Sequence, residues 1–183
     1  MNLDRGGEAS VTSDPAFSEF VHSQWTSAVR LAYGVTLDRH WAEDMAQDAF
    51  VRMWPRWHRV RDERPEAYLR QVVINVCLTA MRRRVWTERA TDLIGERGGV
   101  EDHMATDVAQ RDELVRAMTY LSPRQRAAVV LRYAEDQDEM EVARILGCSV
   151  GSVKSHTSRG IAKLRSRLRA GRDEQRDLAA RTR

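Results

Sequence analysis

The sequence predicts an all-α protein made of two small helical domains joined by a flexible linker. Apolar residues recur every three or four positions over several long stretches, the spacing that gives a helix one buried face. The 183 residues include only 10 glycines and 4 prolines, too few for the turn-rich sequence of an all-β fold. Between the periodic stretches, residues 87–110 contain three glycines and show little apolar periodicity, which indicates the linker.

The N-terminal domain is predicted over residues 14–86. Its first helix begins at Asp14-Pro15, because an aspartate N-cap followed by proline at the first helical position favours helix initiation. A second helix is predicted over about residues 41–57. A third begins at residue 65 and continues to three consecutive arginines that end at residue 84, after which the apolar periodicity is lost.

The C-terminal domain is predicted over residues 111–170, and the chain is completed by a disordered leader, residues 1–13, and a basic tail, residues 171–183. Within this domain, Ser122 and Gln125 have the spacing of a capping box at the start of a helix. In that motif, the side chain of each residue satisfies the backbone N–H of the other.

Residues 138–168 carry the most specific local pattern, that of a helix-turn-helix. A short helix over residues 140–146 ends at Gly147, which suits the left-handed position after a helix. Ser149 is then placed to cap a longer second helix. The apolar positions of this second helix form one stripe, made of Val150, Val153, Thr157, Ile161, Leu164 and Leu168.

The opposite face of the second helix is small, polar and basic, and it suits the major groove of DNA. Its members are Ser155, Ser158, Arg159 and Ala162, with Lys154 and Lys163 on the flanks. Residues 150–183 hold ten basic and three acidic side chains, a net charge of +7, which indicates a polyanionic partner at this end. The alternative is an ordinary solvated helix face. The helix caps, the glycine turn and the apolar stripe occur together at helix-turn-helix spacing, and this favours DNA binding over that alternative.

Three passages resemble the sigma factors of bacterial RNA polymerase, specifically the small extracytoplasmic-function group. They are AEDMAQDAFVRMW (residues 42–54), AYLRQVVINVCLTAMRRR (residues 67–84) and LSPRQRAAVVLRYAEDQDEMEVARILGCSVGSVKSHTSRGIAKLR (residues 121–165). Together the resemblance covers residues 17–170, and the joint order of the three passages is specific.

The resemblance implies that the first passage binds core polymerase at the clamp coiled coil of its largest subunit. The implied contacts are Glu43, Asp44, Met45, Gln47, Asp48 and Phe50. Carboxylates and apolar anchors on one helix suit a partner helix that carries arginines. A solvated acidic face over a core stripe remains the alternative, and Trp54 and Trp57 are predicted to be core residues.

The second passage is similar to the helix that opens the −10 promoter element and holds a flipped base, with residues 60–64 shaping the pocket. The implied contacts are Arg61, Arg70, Gln71, Asn75, Thr79, Arg82 and Arg83. Asn75 matches the polar position near the pocket, although a buried asparagine that caps a neighbouring backbone group is an alternative. Many members of the family have aspartate where this chain has Thr79, so the preferred −10 bases do not follow from the resemblance.

The third passage resembles the domain that reads the −35 element in duplex DNA. The implied contacts are Ser149, Ser152, Lys154, Ser155, His156, Ser158, Arg159 and Lys163.

The implied function is promoter-specific initiation of transcription, with no enzymatic activity, cofactor or metal. Glu19 and His22 have the spacing of one half of a di-iron site, but no second copy of that motif follows. Cys77 and Cys148 lack the spacing of a zinc site and are predicted to be buried thiols in a reducing cytoplasm. Promoter DNA, core polymerase and an anti-sigma factor are the expected partners. The alternative is an autonomous helix-turn-helix regulator that binds operator DNA as a dimer, which would need a dimerisation helix.

Overall fold

The computed structural model describes the backbone of residues 14–91 and 108–181 and the side chains of residues 14–84 and 112–171. The predicted leader and residues 92–107 of the predicted linker lie outside these ranges. The described residues are helical and include no strand, which confirms the all-α prediction. The elements are α1 (Pro15–Thr36), α2 (Arg39–Met53), a 3₁₀ turn (Trp54–Arg56), α3 (Trp57–Val60), α4 (Pro65–Thr91), α5 (Val108–Thr119), α6 (Pro123–Tyr133), α7 (Glu139–Leu146) and α8 (Val150–Arg181).

Helices α1, α2 and α4 pack against one another and form the core of an N-terminal unit. Asp14 is the N-cap of α1 as predicted, and its carboxylate accepts a hydrogen bond of 2.9 Å from the backbone N–H of Ala16. The same carboxylate accepts a second bond of 2.9 Å from Nε1 of Trp57, at the start of α3. A single helix cap therefore also anchors the segment that precedes α4.

The predicted second helix is divided in the structure. Helix α2 begins earlier than expected, behind the N-cap Asp38, and ends at Met53. Pro55 explains this end, because proline lacks an N–H and its ring collides with the carbonyl four residues earlier. The 3₁₀ turn redirects the chain, so that Trp57 is buried as predicted. Trp54 packs on Phe17 but remains 37% exposed, so the prediction of a core residue was wrong there.

Two helices extend past their predicted ends. Helix α4 continues to Thr91, although its apolar periodicity stops near residue 84, and α8 continues to Arg181, through most of the predicted basic tail. No proline occurs in either extension, and α8 adds the good helix formers arginine, glutamine, leucine and alanine. The loss of apolar periodicity near residue 84 therefore does not mark the end of the helix.

Helices α5 to α8 form the C-terminal unit, and its local signals are those that the sequence predicts. Ser122 and Gln125 make both hydrogen bonds of the capping box, at 3.4 and 3.1 Å. Gly147 ends α7 in the left-handed conformation, with a φ of 59°. Ser149 caps α8, since its Oγ accepts a bond of 3.1 Å from the N–H of Ser152.

The approach of α8 to α6 depends on Gly160. A Cβ atom at this position would lie 2.8 Å from Cγ2 of Val129, closer than two carbon atoms can approach without a shift of the surroundings. Gly151, on the same helix, would place its Cβ 3.8 Å from the nearest side-chain atom, which is ordinary contact. The two glycines therefore differ in packing although they share one helix.

The two units contact each other, α1 against α6 and α4 against both α6 and α7. The sequence contains no local signal for this contact.

We predict that Gly160→Leu lowers the free energy of unfolding by about 1–3 kcal/mol, because the added side chain overpacks the α6–α8 contact. Gly151→Leu is the matched control and should be neutral or slightly stabilising, because leucine has a better helix propensity than glycine. Urea unfolding followed by circular dichroism measures both variants. Equal effects at the two positions would contradict this account of the packing.

Candidate functional site

Helix α2 presents a polar face with an apolar side chain in its midst. Asp44 and Gln47 are exposed, and the half-buried Glu43 and Asp48 accompany them. Val51 follows Gln47 by one helical turn and is 64% exposed. The face therefore combines carboxylates with a solvent-facing aliphatic group, the combination that suits a partner helix with cationic side chains.

Two carboxylates of this face already hold intrahelical partners. Asp48 accepts two hydrogen bonds from Arg52, at 2.9 and 2.8 Å, and this hydrogen bonding raises the pKa of the Arg52 guanidinium. Glu43 pairs with Arg39 at 3.4 Å. Exposed pairs of this kind contribute at most about 1 kcal/mol, so a partner can displace them at little cost.

The structure contradicts one predicted polymerase contact and exposes the apolar residue next to it. Phe50 is 5% exposed and packs against Trp25 and Phe20, at ring-centroid distances of 6.2 and 6.4 Å. It is a core residue, so the prediction of a partner contact is wrong for Phe50. Val51, the next residue, is exposed instead. Because Val51 follows the exposed Asp44 by seven residues, or about two helical turns, its position on the same face could have been predicted from the sequence. Met45 is half-buried and lines a cleft between α2 and α4.

The predicted −10 residues of α4 fall into two groups. Asn75, Thr79 and Arg82 line a cleft that α4 forms with α6, α7 and α8. Thr79 also borders a second cleft on the α2 side, where Arg83 lies. Asn75 is exposed, which rules out the alternative of a buried asparagine that caps the backbone.

The remaining −10 candidates are held by ion pairs and hydrogen bonds. Arg70 pairs with Glu135 at 3.4 Å, and Gln71 accepts a bond of 2.9 Å from Arg144. Arg61 lies away from them, just after α3, where its nearest carboxylate is that of Asp62 at 3.5 Å.

The predicted −35 residues are spread around the first half of α8. The exposed members are Ser149, Lys154, Ser158, Arg159 and Lys163, and the half-buried members are Ser152, Ser155 and His156. Lys154 pairs with Glu139 at 3.4 Å. His156 borders the same cleft as Asn75, so it faces the N-terminal unit and not the open side of the helix. Arg159 and Ser158 are exposed on the open side of the helix.

Other kinds of site find no support in the part of the chain that the structure describes. No three histidine, cysteine, aspartate or glutamate side chains of residues 14–84 and 112–171 converge as metal ligands would. The two cysteines are free thiols, and burial raises the pKa of Cys77 to about 12. Within the described residues, no helix combines the length and the apolar character that crossing a membrane requires.

Comparisons with known proteins match both units. Residues 26–87 match the family model described as Sigma-70 region 2, and residues 111–164 match the one described as Sigma-70, region 4. The RNA polymerase sigma-E factor of Streptomyces antibioticus is 38% identical over 166 residues, which cover 90% of this chain and 88% of that protein. The factor of the same name from Streptomyces coelicolor is 36% identical, with 90% of each chain covered.

Solved structures share the fold. The sigma factor RpoE of Bartonella quintana, in complex with the anti-sigma factor NepR, superposes with a TM-score of 0.69 and 22% identity. The match covers 84% of this chain and 96% of RpoE. A structure of CnrH with the cytosolic domain of CnrY gives a TM-score of 0.58 and 21% identity, over 87% and 91% of the two chains. With both sigma-70 regions present in order on two helical units, the chain belongs to the sigma-70 family of RNA polymerase sigma factors, in its small extracytoplasmic-function group.

Proposed function

We propose that this chain directs core RNA polymerase to its promoters by a division of labour between three helices. Helix α2 docks on the polymerase, α4 opens and reads the −10 element, and α8 reads the −35 element. The observation that carries the proposal is that the two helical units, which match sigma-70 regions 2 and 4, each expose a recognition face of the required chemistry. Residues 14–86 are the core-binding and −10 domain, and residues 111–170 are the −35 domain.

The polymerase contact is built from the exposed face of α2. Val51 supplies apolar contact area, while Asp44 and Asp48 supply charge complementarity, which fixes orientation and suppresses wrong partners. A coiled coil that carries arginines, such as the clamp of the largest polymerase subunit, has the complementary chemistry. Asp48 exchanges its intrahelical partner Arg52 for a cation of the polymerase.

The −10 contact requires α4 to hold single-stranded DNA. An extruded base needs a polar side chain for its edge, and the separated strand needs cations along its phosphates. Asn75 and Thr79 offer amide and hydroxyl groups at one cleft, and Arg82 and Arg83 flank them with positive charge. The shorter Thr79 in place of an aspartate removes a negative charge from the strand's path.

The −35 contact places α8 in the major groove. Arg159 is exposed at the centre of the open face, within reach of the O6 and N7 acceptors of a guanine. Ser155 and Ser158 give short contacts to bases or phosphates, and Lys154 and Lys163 contact the backbone on either side. His156 is the member of the predicted set that this arrangement supports least.

No covalent chemistry or cofactor is part of the proposal: the chain acts by placing the polymerase and by capturing single-stranded promoter DNA in the cytoplasm. RpoE and CnrH are each seen in complex with a partner, which for RpoE is an anti-sigma factor. We extend this to the present chain and propose an anti-sigma protein that covers the face of α2.

In-vitro transcription tests the function. Purified chain is added to bacterial core polymerase that lacks a sigma factor, with fragments of the native genome as template. We expect transcripts from defined start sites that share one −35/−10 pair. Tight binding of duplex DNA by the chain alone, without stimulation of the polymerase, would instead identify an autonomous regulator.

We predict that Arg159→Ala weakens binding to the matched −35 duplex by about 1–3 kcal/mol and reduces discrimination against a mismatched duplex. Arg165→Ala is the matched control. It removes the same charge from an exposed position of α8 that lies about 120° around the helix from Arg159 and, at about 1.5 Å for each of six residues, about 9 Å further along its axis.

The control variant should weaken both duplexes equally, through lost attraction to phosphates. Fluorescence anisotropy on the promoters mapped by transcription measures both variants. Unchanged discrimination in Arg159→Ala would remove this residue from the reading face.

We predict that Asp48→Arg weakens core-polymerase binding at least tenfold, about 1.4 kcal/mol, because it replaces attraction to a cationic helix by repulsion. Glu19→Arg makes the same charge change at an exposed position of α1 and should leave binding unchanged. Competition with a labelled sigma factor for core polymerase measures both affinities. If the two variants bind alike, the acidic face of α2 is not the docking surface.

A further inference from the structure

Helix α8 carries a row of cations that leads away from the residues assigned to base reading. Residues 150–171 contain six lysines and arginines and no acidic residue. Arg159, Lys163 and Arg167 are exposed and follow one another at intervals of four residues, so each lies one helical turn beyond the last on the same side of α8. Like charges at this spacing repel each other, and an anion bound along the row relieves that repulsion.

Two of these cations are held by one residue outside α8. Tyr120, between α5 and α6, is 51% exposed, and the guanidinium carbon of Arg167 lies 3.7 Å from the centroid of its ring. The backbone carbonyl of the same tyrosine accepts a hydrogen bond of 3.4 Å from Nζ of Lys163. Nζ also donates a bond of 3.4 Å to Oε1 of Gln125, in the first turn of α6. Tyr120 and Gln125 therefore order two side chains that are otherwise flexible.

The stacked guanidinium of Arg167 keeps its hydrogen-bonding edge available. A cation–π contact occupies the flat face of the group, whereas the N–H donors point outward in its plane. Among the described side chains of α8, Lys154 alone pairs with a carboxylate, that of Glu139. Arg167 can therefore bind a phosphate through two parallel hydrogen bonds, and the ammonium group of Lys163 adds a second charge. Side chains that are ordered beforehand lose less conformational entropy on binding.

The position of the two cations along α8 suits the edge of a major groove. From Ser149 to Arg159, α8 advances about 15 Å, which exceeds the groove's width of about 12 Å. When the start of α8 reads bases, the turns beyond Arg159 therefore lie at or past the edge of the groove, where phosphates are in reach and base edges are not. Because the same DNA strand continues past the element, its backbone is the polyanion nearest to the row.

We propose that Lys163 and Arg167, ordered by Tyr120, form a phosphate-binding site that contacts the backbone of duplex DNA just outside the bases of the −35 element. The two cations contact the phosphate, and Tyr120 is a positioning residue that acts through them. The site adds affinity and carries no sequence information. The proposal rests on the proposed function of α8, and it adds Arg167 and Tyr120 to the residues assigned to the −35 contact.

Neutralisation of single phosphates tests the proposal. Holoenzyme is assembled from core polymerase and the full chain, and fluorescence anisotropy measures its affinity for duplexes that carry the −35 element of a promoter mapped by transcription. In each duplex, one phosphate within or beside the element is replaced by an uncharged methylphosphonate. We expect a phosphate outside the bases of the element whose neutralisation weakens binding about tenfold, the effect of losing a charge-assisted hydrogen bond.

Arg167→Ala should bind the unmodified duplex about tenfold more weakly, and neutralising the same phosphate should weaken its binding no further. The slope of log affinity against log salt concentration should become shallower by about 0.9, the value for one phosphate contact. Arg169→Ala is the matched control. It removes the same charge from an exposed position two residues further on, about 160° around the helix, and should retain the effect of the phosphate.

Substitutions of Tyr120 separate positioning from a structural role. Tyr120→Leu removes the ring and should reduce the effect of the phosphate, whereas Tyr120→Phe keeps the ring and should behave as the unmutated chain does. Discrimination between matched and mismatched −35 duplexes should be unchanged in both variants, because the site contacts no base. If Tyr120→Leu instead loses this discrimination, or if Tyr120→Phe is as weak as Tyr120→Leu, the positioning role is overturned.

The phosphate site itself is overturned if Arg167→Ala and Arg169→Ala respond alike, or if the effect of the phosphate survives in Arg167→Ala. It is also overturned if Arg167→Ala lowers the affinity of the chain for core polymerase while duplex binding by the assembled holoenzyme is unchanged, because the row then meets an acidic protein surface. If the unmutated holoenzyme does not distinguish matched from mismatched −35 duplexes, the proposed function of α8 fails instead.

Discussion

Helix α4 packs against two sets of helices, and each set contacts a different side of it. Its buried residues Leu69, Val73 and Cys77 face the core of the N-terminal unit that α1 and α2 complete. Its polar side meets α6 and α7. Because side chains on a helix keep a fixed angular spacing, the residues that we propose for the −10 contact lie on another side of α4 than its buried residues. In this structure Arg70 and Gln71 hold partners in the C-terminal unit, while Asn75, Arg82 and Arg83 are exposed.

The contact between the two units includes polar pairs and a close approach of Gly34 to Val130. Arg70 meets Glu135 through a part-buried ion pair, whose net contribution is small because both charges lose water. Arg126 is buried with carbonyl partners alone. Burying these cations carries a desolvation cost, which offsets part of the stabilisation that their contacts provide.

The helices α6, α7 and α8 of the C-terminal unit, by contrast, begin and end at local motifs. The capping box of Ser122 orients α6, Gly147 sets the turn, and Ser149 starts α8. Each is a short-range device within the C-terminal unit. In the N-terminal unit, the carboxylate of Asp14 caps α1 and also accepts a hydrogen bond from Trp57, 43 residues further along the chain.

What the sequence by itself determined is what depends on neighbours a few residues away. The helix caps at Asp14, Ser122 and Ser149, the glycine turn at Gly147 and the apolar stripe of α8 follow from spacing alone and appear as predicted. The ends of α4 and α8 were missed, because periodicity reports packing partners and not helical hydrogen bonds.

Only the tertiary structure decided which side of a helix is the outside. Phe50 and Val51 are adjacent and both apolar, and the break near Pro55 and the packing of Trp25 bury the first and expose the second. The contact of Gly34 with Val130 joins residues almost a hundred positions apart, as does the bond from Arg126 to Val35. No local pattern encodes such pairs, because they depend on how completed helices pack together. The sequence thus determined the caps and turns of the helices, and the tertiary structure decided which residues of each helix are exposed.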